Sequence, residues 1–516
     1  MDSIVIDRRK TFFHNDFLED YYNTNKFDHL RTYAPTMAEI PRAIENKKTF
    51  SQSQRNTLAA VIEEQYQDAG IAIEGKLQKN INSLRQSNAY TVTTGQQIHL
   101  GLGPLYVIYK ALDAIAIAKE LSEEHKDFNF VPVFWMATED HDLEEIAEIS
   151  VFGNKVKWET TQKGAVGRMK PDGVAALFDS IKKNYNFSEE QNDFLSKCSH
   201  IYSTSENLSI AFRALLHAYI GETGIVILDA DNKSLKESFS QVLSDELQFK
   251  NYAALTKSSA AFEKTGYNKQ LQIRECNLFD LRNGDRVKVL DKQESDTAEA
   301  HVHQEGYNLS PNAALRPFYQ EWILPNLVYV GGPSELKYWL QLKGIFDNYS
   351  FPMPLLHLRK SNILLPLKLK QTYGQEDFEM LFNHTYVLLT HYSREISQLE
   401  ESFDQLYKAI LKNVERYADQ ASVSFPGFTL EGKVAKLMPK LDELPSLIKG
   451  QLVKKSEQSI ELKRLLKIKE RYFNPAVVQE REEHQLAHVG LLKLNIAGLC
   501  SQFGLKHSQK VGLILI

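Results

Sequence analysis

Tyr90-Thr91-Val92-Thr93-Thr94 is a run of β-branched and aromatic residues that ends in Gly95-Gln96-Gln97, and it predicts a strand followed by a turn. Gly103-Pro104 then opens a helix. Leu105, Ile108, Leu112, Ile115 and Ala118 recur at helical spacing, and a proline suits the first turn. Phe130 to Ala137 is a short apolar run of buried-strand type, so these segments make one β-α-β unit. The sheet resumes at Gly224 to Asp229 and again at Leu327 to Val330. There Gly331-Gly332-Pro333-Ser334 turns into a helix over Glu335 to Asp347, and the sheet is expected to end near Met353-Pro354-Leu355-Leu356. Strands alternating with helices predict an α/β fold whose ligands bind beyond the carboxyl ends of the strands.

Around this core the pattern changes. Residues 1–88 read as a mostly helical lead-in, and 89–370 as the core, interrupted by insertions at about 151–205 and 241–303. The first insertion is polar and irregular, punctuated by Gly153, Gly164, Gly167 and Gly173. The second carries a hairpin signal, with Leu278-Phe279-Asp280 and Arg286-Val287-Lys288-Val289 flanking Arg282-Asn283-Gly284-Asp285. Leu389, Tyr392, Ile396, Leu399, Phe403, Leu406 and Ile410 keep a three-four rhythm, which is a heptad seam. Leu430, Val434, Leu437, Leu441, Leu444 and Ile448 form a return seam that Pro439 and Pro445 should interrupt. Together they predict an antiparallel coiled-coil arm over 371–475. Residues 476–516 return to the core, and Val511 to Ile516 could add a last strand to the sheet.

Composition narrows the function classes. A chain of 516 residues with 43% hydrophobic and 25% charged residues suits a multidomain globular protein. Its net charge of −5 supplies no general attraction for nucleic acid or an anionic membrane, so neither is expected as a partner. No apolar run approaches the ~18 residues of a membrane span. The three cysteines, Cys198, Cys276 and Cys500, lie far apart and form no framework, and the first residues do not read as a secretory signal. A cytoplasmic protein is expected.

Candidate chemistry gathers at the strand ends. Glu139-Asp140-His141-Asp142 offers a histidine among carboxylates, suited to acid or base work, although acids also favour a helix first turn for structural reasons. One histidine among adjacent acids argues against a metal site. Gly95-Gln96-Gln97 with His99, Gly101 and Gly103-Pro104 leads into a helix N-terminus that could hold an anion, or it is a tight packing turn. It is neither a Walker A loop nor a Gly-x-Gly-x-x-Gly fingerprint. Gly331-Gly332-Pro333-Ser334-Glu335 repeats that geometry, with Tyr338, Trp339 and Lys343 on the following helix; Trp339 is more often core than platform. Arg316 and Arg359-Lys360-Ser361 could pair with carboxylate or phosphate, or be surface cations. Cys198 beside Ser199 and His200 is only a sequence neighbourhood, which makes no nucleophile.

Thr94-Gly95-Gln96-Gln97 with Gly103-Pro104-Leu105-Tyr106 and Lys110, followed by Pro132 to Asp142, closely resembles the cysteine-adding enzymes of bacillithiol biosynthesis, the BshC family. Leu309-Ser310-Pro311-Asn312 with Leu315-Arg316-Pro317, and Tyr329 to Leu336 with Tyr338-Trp339, resemble that family's later blocks in the same order. Val166-Gly167-Arg168 and Gln479-Glu480-Arg481 extend the resemblance over nearly the whole chain, while His99 and Leu102 depart from the family's turn. The resemblance implies a Rossmann-like core of nucleotidyltransferase type with two connecting insertions and a coiled-coil arm associated with a homodimer. It also implies a ligase that joins the carboxyl group of L-cysteine to the amine of glucosaminyl-malate, with ATP and an accompanying Mg²⁺ expected for carboxylate activation. On this reading His141, Asp140, Asp142 and Glu139 are catalytic, with His141 taking the amine proton and Arg316 meeting the malate carboxylates. Gln96, Gln97, Tyr106, Lys110, Asn312, Gly331, Gly332, Glu335, Tyr338 and Trp339 complete the substrate contacts. Gly95, Gly103, Lys360 and Ser361 would serve the nucleotide. Another ATP-dependent ligase or nucleotidyltransferase is the nearest alternative, and a non-catalytic dimeric scaffold the more distant one.

Overall fold

Five apolar runs form one parallel sheet in a computed structural model of the chain, which describes residues 2–47, 50–281, 284–289, 308–383, 394–424, 460–488, 500–504 and 509–516, with positions 385, 387, 388, 439 and 443. The strands are β1 (Ala89–Gln96), β2 (Asn129–Met136), β3 (Val226–Asp229), β4 (Asn326–Gly331) and β5 (Leu355–Leu358). Their spatial order is β5-β4-β1-β2-β3. The chain therefore builds outward from β1 to β3, then returns to the other side of β1 for β4 and β5. That reversal lies between β1 and β4, where adjacent crossovers depart to opposite sides and leave a crevice beyond the strand ends. Helix α1 (Leu105–Glu124) makes the first crossover; α2 (Arg316–Ile323) precedes β4 and α3 (Pro333–Gln341) follows it.

Both faces of the sheet are covered, so the strands are apolar throughout rather than alternating. Tyr90, Val92, Phe130, Leu327, Val328, Val330 and Leu355 pack with Ala114, Ile117 and Leu121 of α1. One polar seam crosses this core. Asn326 Oδ1 accepts from the hydroxyls of Thr91 (3.1 Å) and Thr93 (2.8 Å), and its Nδ2 donates to Glu321 at 2.7 Å. Glu321 is neutralised by Lys47 at 2.9 Å, both side chains being almost fully buried. The lead-in, α2, β1 and β4 are thereby fixed to one another beneath the crevice.

Contacts divide the chain into two units: Met1–Arg9, Phe13–Ile363 and Gln479–Ile516 form the first, Lys10–Phe12 and Leu364–Val478 the second. In the second, Phe382 packs edge-on against Phe473 with centroids 4.8 Å apart, and Lys469 donates to the carbonyls of Leu381 and Asn383 at 2.6 Å. The heptad seam from Ile396 to Ile410 falls on a 31-residue helix, Arg394–Ser424. Leu389, Tyr392 and the return seam Leu430, Val434, Leu437, Leu441, Leu444 and Ile448 lie outside the described residues.

Several expectations are corrected. The final strand, Lys510–Leu515, does not join the parallel sheet; it pairs antiparallel with Asp2–Asp7, in the register Ile4 to Leu513. The first insertion is not irregular. It folds as a hairpin, Glu148–Val151 with Asn154–Lys157, and two helices, Val174–Asn184 and Glu189–Thr204. Ser188 and Gln191 form a capping box at the second helix, and Phe178 stacks on Tyr202 at 5.5 Å between the two. The helix expected over Glu335 to Asp347 breaks into Pro333–Gln341 and Lys343–Asn348. In the second insertion Phe279 pairs with Lys288 and Asp280 with Val287, as the hairpin signal predicts, while Arg282, Asn283 and 290–303 lie outside the described residues. No described helix is long and apolar enough to cross a membrane.

The Lys47–Glu321 pair gives a direct test of this core. Replacing Lys47 by Met strands a buried carboxylate and should destabilise the first unit by about 3–5 kcal/mol in denaturant unfolding, whereas Lys47→Met with Glu321→Gln should recover most of that loss.

Candidate functional site

A cleft of ≈ 640 Å³ opens beyond the carboxyl ends of β1, β2 and β4, at the point where strand order reverses. Its floor is Gly95, Gln96 and Gln97 from β1 and Ala137 after β2, and one wall is the Gly332-Pro333-Ser334-Glu335 turn. Behind that wall Lys110 of α1, whose side chain is 1% exposed, donates to both oxygens of Glu335 at 3.0 and 2.8 Å. The same ammonium donates to Gln96 Oε1 at 3.1 Å and to the Gly95 carbonyl. Glu335 also accepts from the Tyr329 hydroxyl and the Gly332 amide, each at 2.7 Å. Burial pushes the Glu335 carboxyl up, and Lys110, the Gly332 amide and Tyr329 more than reverse it, so the group is held below its usual range. Gln96, so fixed, turns its amide to the Tyr106 hydroxyl at 3.0 Å.

Both helix N-termini at the cleft are largely satisfied by the protein. At α3 the Gly332 amide goes to Glu335 and Pro333 has none, which leaves Ser334 and Glu335 as the first-turn amides for an anion. At α1 the Leu105 amide donates to Glu483 O at 3.0 Å. Gln485 N reaches Gly103 O at 3.1 Å, so the segment Gln479–His488 seals this end. Gly103 has φ +63°, and a Cβ there would lie 2.5 Å from that of His99. Its role is to let the turn close, and it does not line the cleft.

The acidic stretch fans out in four directions. Glu139 is buried against Lys236 at 2.5 Å, in a cluster where Asp231 is bound by Arg168 at 2.6 and 2.8 Å and by Lys236 at 2.9 Å. Asp140 lines the cleft, accepting from Gln97 Nε2 and the His141 amide at 2.8 Å and from Arg286 at 3.3 Å. His141 is not part of the cleft wall: its side chain is 53% exposed, and its Nδ1 lies 2.9 Å from the Arg286 guanidinium. Arginine only donates, so Nδ1 accepts and the ring hydrogen sits on Nε2. Asp142 is the N-cap of the helix Leu143–Ile146, accepting from the Glu145 amide at 3.2 Å. The arrangement corrects the expectation of a four-residue catalytic cluster, because consecutive residues leaving a strand point to different neighbours.

Other candidates separate equally clearly. Arg316 and Tyr338 line the cleft and meet at 3.5 Å; among the described residues Arg316 has no ion-pair partner. Asn312 does not reach the cleft, because its Oδ1 accepts from the Ala314 and Leu315 amides at 2.8 and 3.2 Å ahead of α2. Trp339 is core, 4.6 Å from the Tyr329 ring, and Gly331 lies buried at the end of β4. Lys360 and Ser361 are also turned away from the cleft. The Lys360 amide donates to Asp113 at 2.8 Å and its ammonium to the Gln502 carbonyl, while Ser361 lies 3.4 Å from Glu480. Burial pushes the Lys360 ammonium down to about 8. Cys198 is buried in its helix and its thiol is pushed well above the usual range by burial, so it is no nucleophile.

Long-range folding adds residues that local pattern did not reveal as site residues. Glu144 and Glu145 line the cleft from the helix after Asp142, as do Glu148 and Lys155 from the first insertion's hairpin. Arg359 contributes while held by Glu480 at 2.6 Å, and Arg481, Glu482 and His484 arrive from the far end of the chain. Glu145 and Arg286 carry no signature in sequence beyond their type. Among the described residues no group of three or more His, Cys, Asp or Glu is placed to hold a metal ion.

A parallel doubly wound sheet with a charged cleft at its switch point defines a Rossmann-like protein with a small-molecule site. The family model described as the N-terminal Rossmann-like domain of BshC, of bacillithiol biosynthesis, matches residues 1–360. A protein of Flavobacterium psychrophilum is 31% identical over 506 residues, covering 94% of each chain. One of Cytophaga hutchinsonii is 32% identical over 475 residues, 88% of this chain and 87% of the relative, and one of Staphylococcus epidermidis is 28% identical over 377 residues, 66% and 70%. Each of these three is named "Putative cysteine ligase BshC". The chain belongs to the BshC family.

His484 ties the closing segment to the cleft, with Nε2 2.9 Å from Leu100 O and Nδ1 accepting from the Leu486 amide. Burial pushes both His99 and His484 down to about 4. Between that value and the ordinary ~6.5 the unfolded chain binds protons that the folded chain does not, so stability falls as pH falls through this window. Denaturant midpoints should drop between pH 6.5 and 4 by a loss on the order of 3 kcal/mol per histidine, and His484→Asn should flatten that slope.

Proposed function

We propose that the protein joins the carboxyl group of L-cysteine to the amine of glucosaminyl-malate, the closing step of bacillithiol synthesis, and that ATP is the co-substrate that activates the carboxylate. The observation that carries this reading is the two-signed wall of the switch-point cleft. Arg316, Arg359 and Arg481 face it as cations, and Asp140, Glu144, Glu145 and Glu482 as acids. Glucosaminyl-malate has two carboxylates and an ammonium group, which such a wall can hold in one orientation. Arg316, which has no ion-pair partner among the described residues, suits a malate carboxylate, and Tyr338 beside it supplies a hydroxyl.

An amide does not form spontaneously from a carboxylate and an amine in water. Hydrolysis of a phosphoanhydride supplies the missing driving force, and the residues present fit its anions: Arg359, Arg481 and the Ser334 amide border the same space. Gly95 and Gly332 line it without side chains of their own, as close approach of a ligand to backbone requires. Mg²⁺ would enter as the counter-ion of the nucleotide. Lys110 and Glu335 are positioning residues, since they hold Gln96 and the Gly332 turn rather than facing the ligand. The same reading takes the heptad seam of Arg394–Ser424, where Leu406 is 59% exposed, as a surface for a second copy of the chain, and the cytoplasm as the compartment.

The test is mass spectrometry of products from purified protein with glucosaminyl-malate, L-cysteine, ATP and Mg²⁺, each omitted in turn. Bacillithiol should form only in the complete mixture, with AMP marking adenylate transfer and ADP phosphate transfer; no product from folded protein would reject the reading. Arg316→Gln should raise KM for glucosaminyl-malate by about 10–100-fold, the worth of one charge-assisted contact, with a smaller effect on KM for cysteine.

A further inference from the structure

The amide-forming step needs a group that removes a proton from the attacking nitrogen, and it must border the cleft. His141 does not: it stands outside the wall, with Nδ1 2.9 Å from the Arg286 guanidinium. Asp140 borders the cleft but is committed to Gln97, the His141 amide and Arg286. Burial pushes this carboxyl up, but Arg286, the His141 amide and Arg316 together more than reverse it and hold it below its usual range, which makes Asp140 a weak base. Glu145 lines the cleft, with its side chain 40% exposed, and among the described residues has no short ion pair; the closest cationic candidate among them is His99 Nε2 at 3.7 Å from Oε1. His99 is buried and neutral near pH 7, so it does not suppress the basicity of Glu145. Burial, then Asp142 and Asp140, push the Glu145 carboxyl up, against smaller opposing effects of Gln97 and Lys110. Tyr106 faces it from α1 and is neutral in this range.

We propose that Glu145, and not His141, accepts the proton from the sugar amine as the amide forms, an inference that rests on the ligase reading above. The neutral amine attacks the activated cysteinyl carbonyl and the carbon–nitrogen bond forms. The bond from that carbon to its phosphate or nucleotide oxygen breaks, and the electron pair leaves with that oxygen. The proton displaced from nitrogen passes to the Glu145 carboxylate, which later releases it to water through the open side of the cleft. Asp142 fixes this carboxylate by capping the helix on which it sits, through the Glu145 backbone amide.

Glu145→Gln keeps the shape and the backbone cap and removes only the base. Bacillithiol formation by this variant should fall by about 10²–10⁴-fold, the usual worth of general-base catalysis. Hydroxylamine, already unprotonated at neutral pH, should still trap the activated carboxylate as cysteinyl hydroxamate at close to the wild-type rate. The acid limb of the wild-type kcat/KM profile should be absent from the residual activity, and Glu145→Asp should restore part of the rate. Bacillithiol formation by Glu145→Gln near the wild-type rate would overturn the assignment. So would equal loss of both products, which marks a structural role, or loss of the acid limb in His141→Asn instead. If wild-type protein makes neither bacillithiol nor hydroxamate, the ligase reading itself fails and takes this assignment with it; hydroxamate without bacillithiol rejects glucosaminyl-malate as the acceptor and the assignment made for its amine.

Discussion

The carboxylate of Glu335 is the point on which the cleft depends. It lies in the first turn of α3, takes the Gly332 amide of its own turn, the Tyr329 hydroxyl of β4, and the Lys110 ammonium of α1. Because Lys110 also holds Gln96 and the end of β1, one carboxylate links both strands at the reversal of strand order to the helices that follow them. A carboxylate with three donors, one of them an ammonium, in a partly dry setting is strongly favoured in its charged form. The consequence is geometric. The floor and one wall of the cleft are set before any ligand arrives, and the anion-binding capacity of the α3 terminus is partly used by the protein itself.

The second constraint is topological. A switch point is open on the side away from the sheet, and in this chain residues from beyond 478 border it. Leu105 N to Glu483 O and Gln485 N to Gly103 O continue the backbone bonding of the Gly101 to Pro104 turn with a segment almost four hundred residues away. Glu480 brings Arg359 into place in the same region, at 2.6 Å. Arg481 and His484 are therefore site residues by virtue of that docking and not of any local motif.

This explains what sequence could and could not reveal. The β-α-β core was legible, because buried parallel strands are continuous apolar runs and α1, buried almost all round from Leu105 to Ala118, keeps apolar residues at helical spacing; the cleft's place followed from the strand ends. Gln96, Gln97, Arg316, Tyr338 and Glu335 line the cleft, and sequence could point to them because each lies within a few residues of a strand or helix end. The helices of the first insertion were missed because glycines at their borders masked the Val174, Phe178, Ile181 spacing. Glu139, His141 and Asp142 were grouped by adjacency, yet a chain leaving a strand in irregular conformation turns successive side chains to unrelated partners. Arg286 reaches Asp140 from a hairpin 146 residues away, a contact without any local trace.

What distinguishes framework from function among the buried charges is whether the protein supplies the counter-charge. Lys47 and Lys236 each face a carboxylate within 2.9 Å and are complete without a ligand. Lys110 is complete in the same way. Arg316 lines the cleft at the start of α2, an end of a helix that disfavours a cation; among the described residues it has no ion-pair partner, and Tyr338, Tyr329, Asp140 and Glu335 favour its charge from farther off. The protein's own groups thus keep the guanidinium charged without pairing it directly, which suits its planar fork to an anion entering the cleft. The acids that border the same cleft without a short ion pair among the described residues, Glu144 and Glu145 among them, leave the complementary need for a cation or a proton. On the proposed ligase reading, a site with both needs suits a molecule bearing carboxylate and amine together, with the amine held where its proton has somewhere to go.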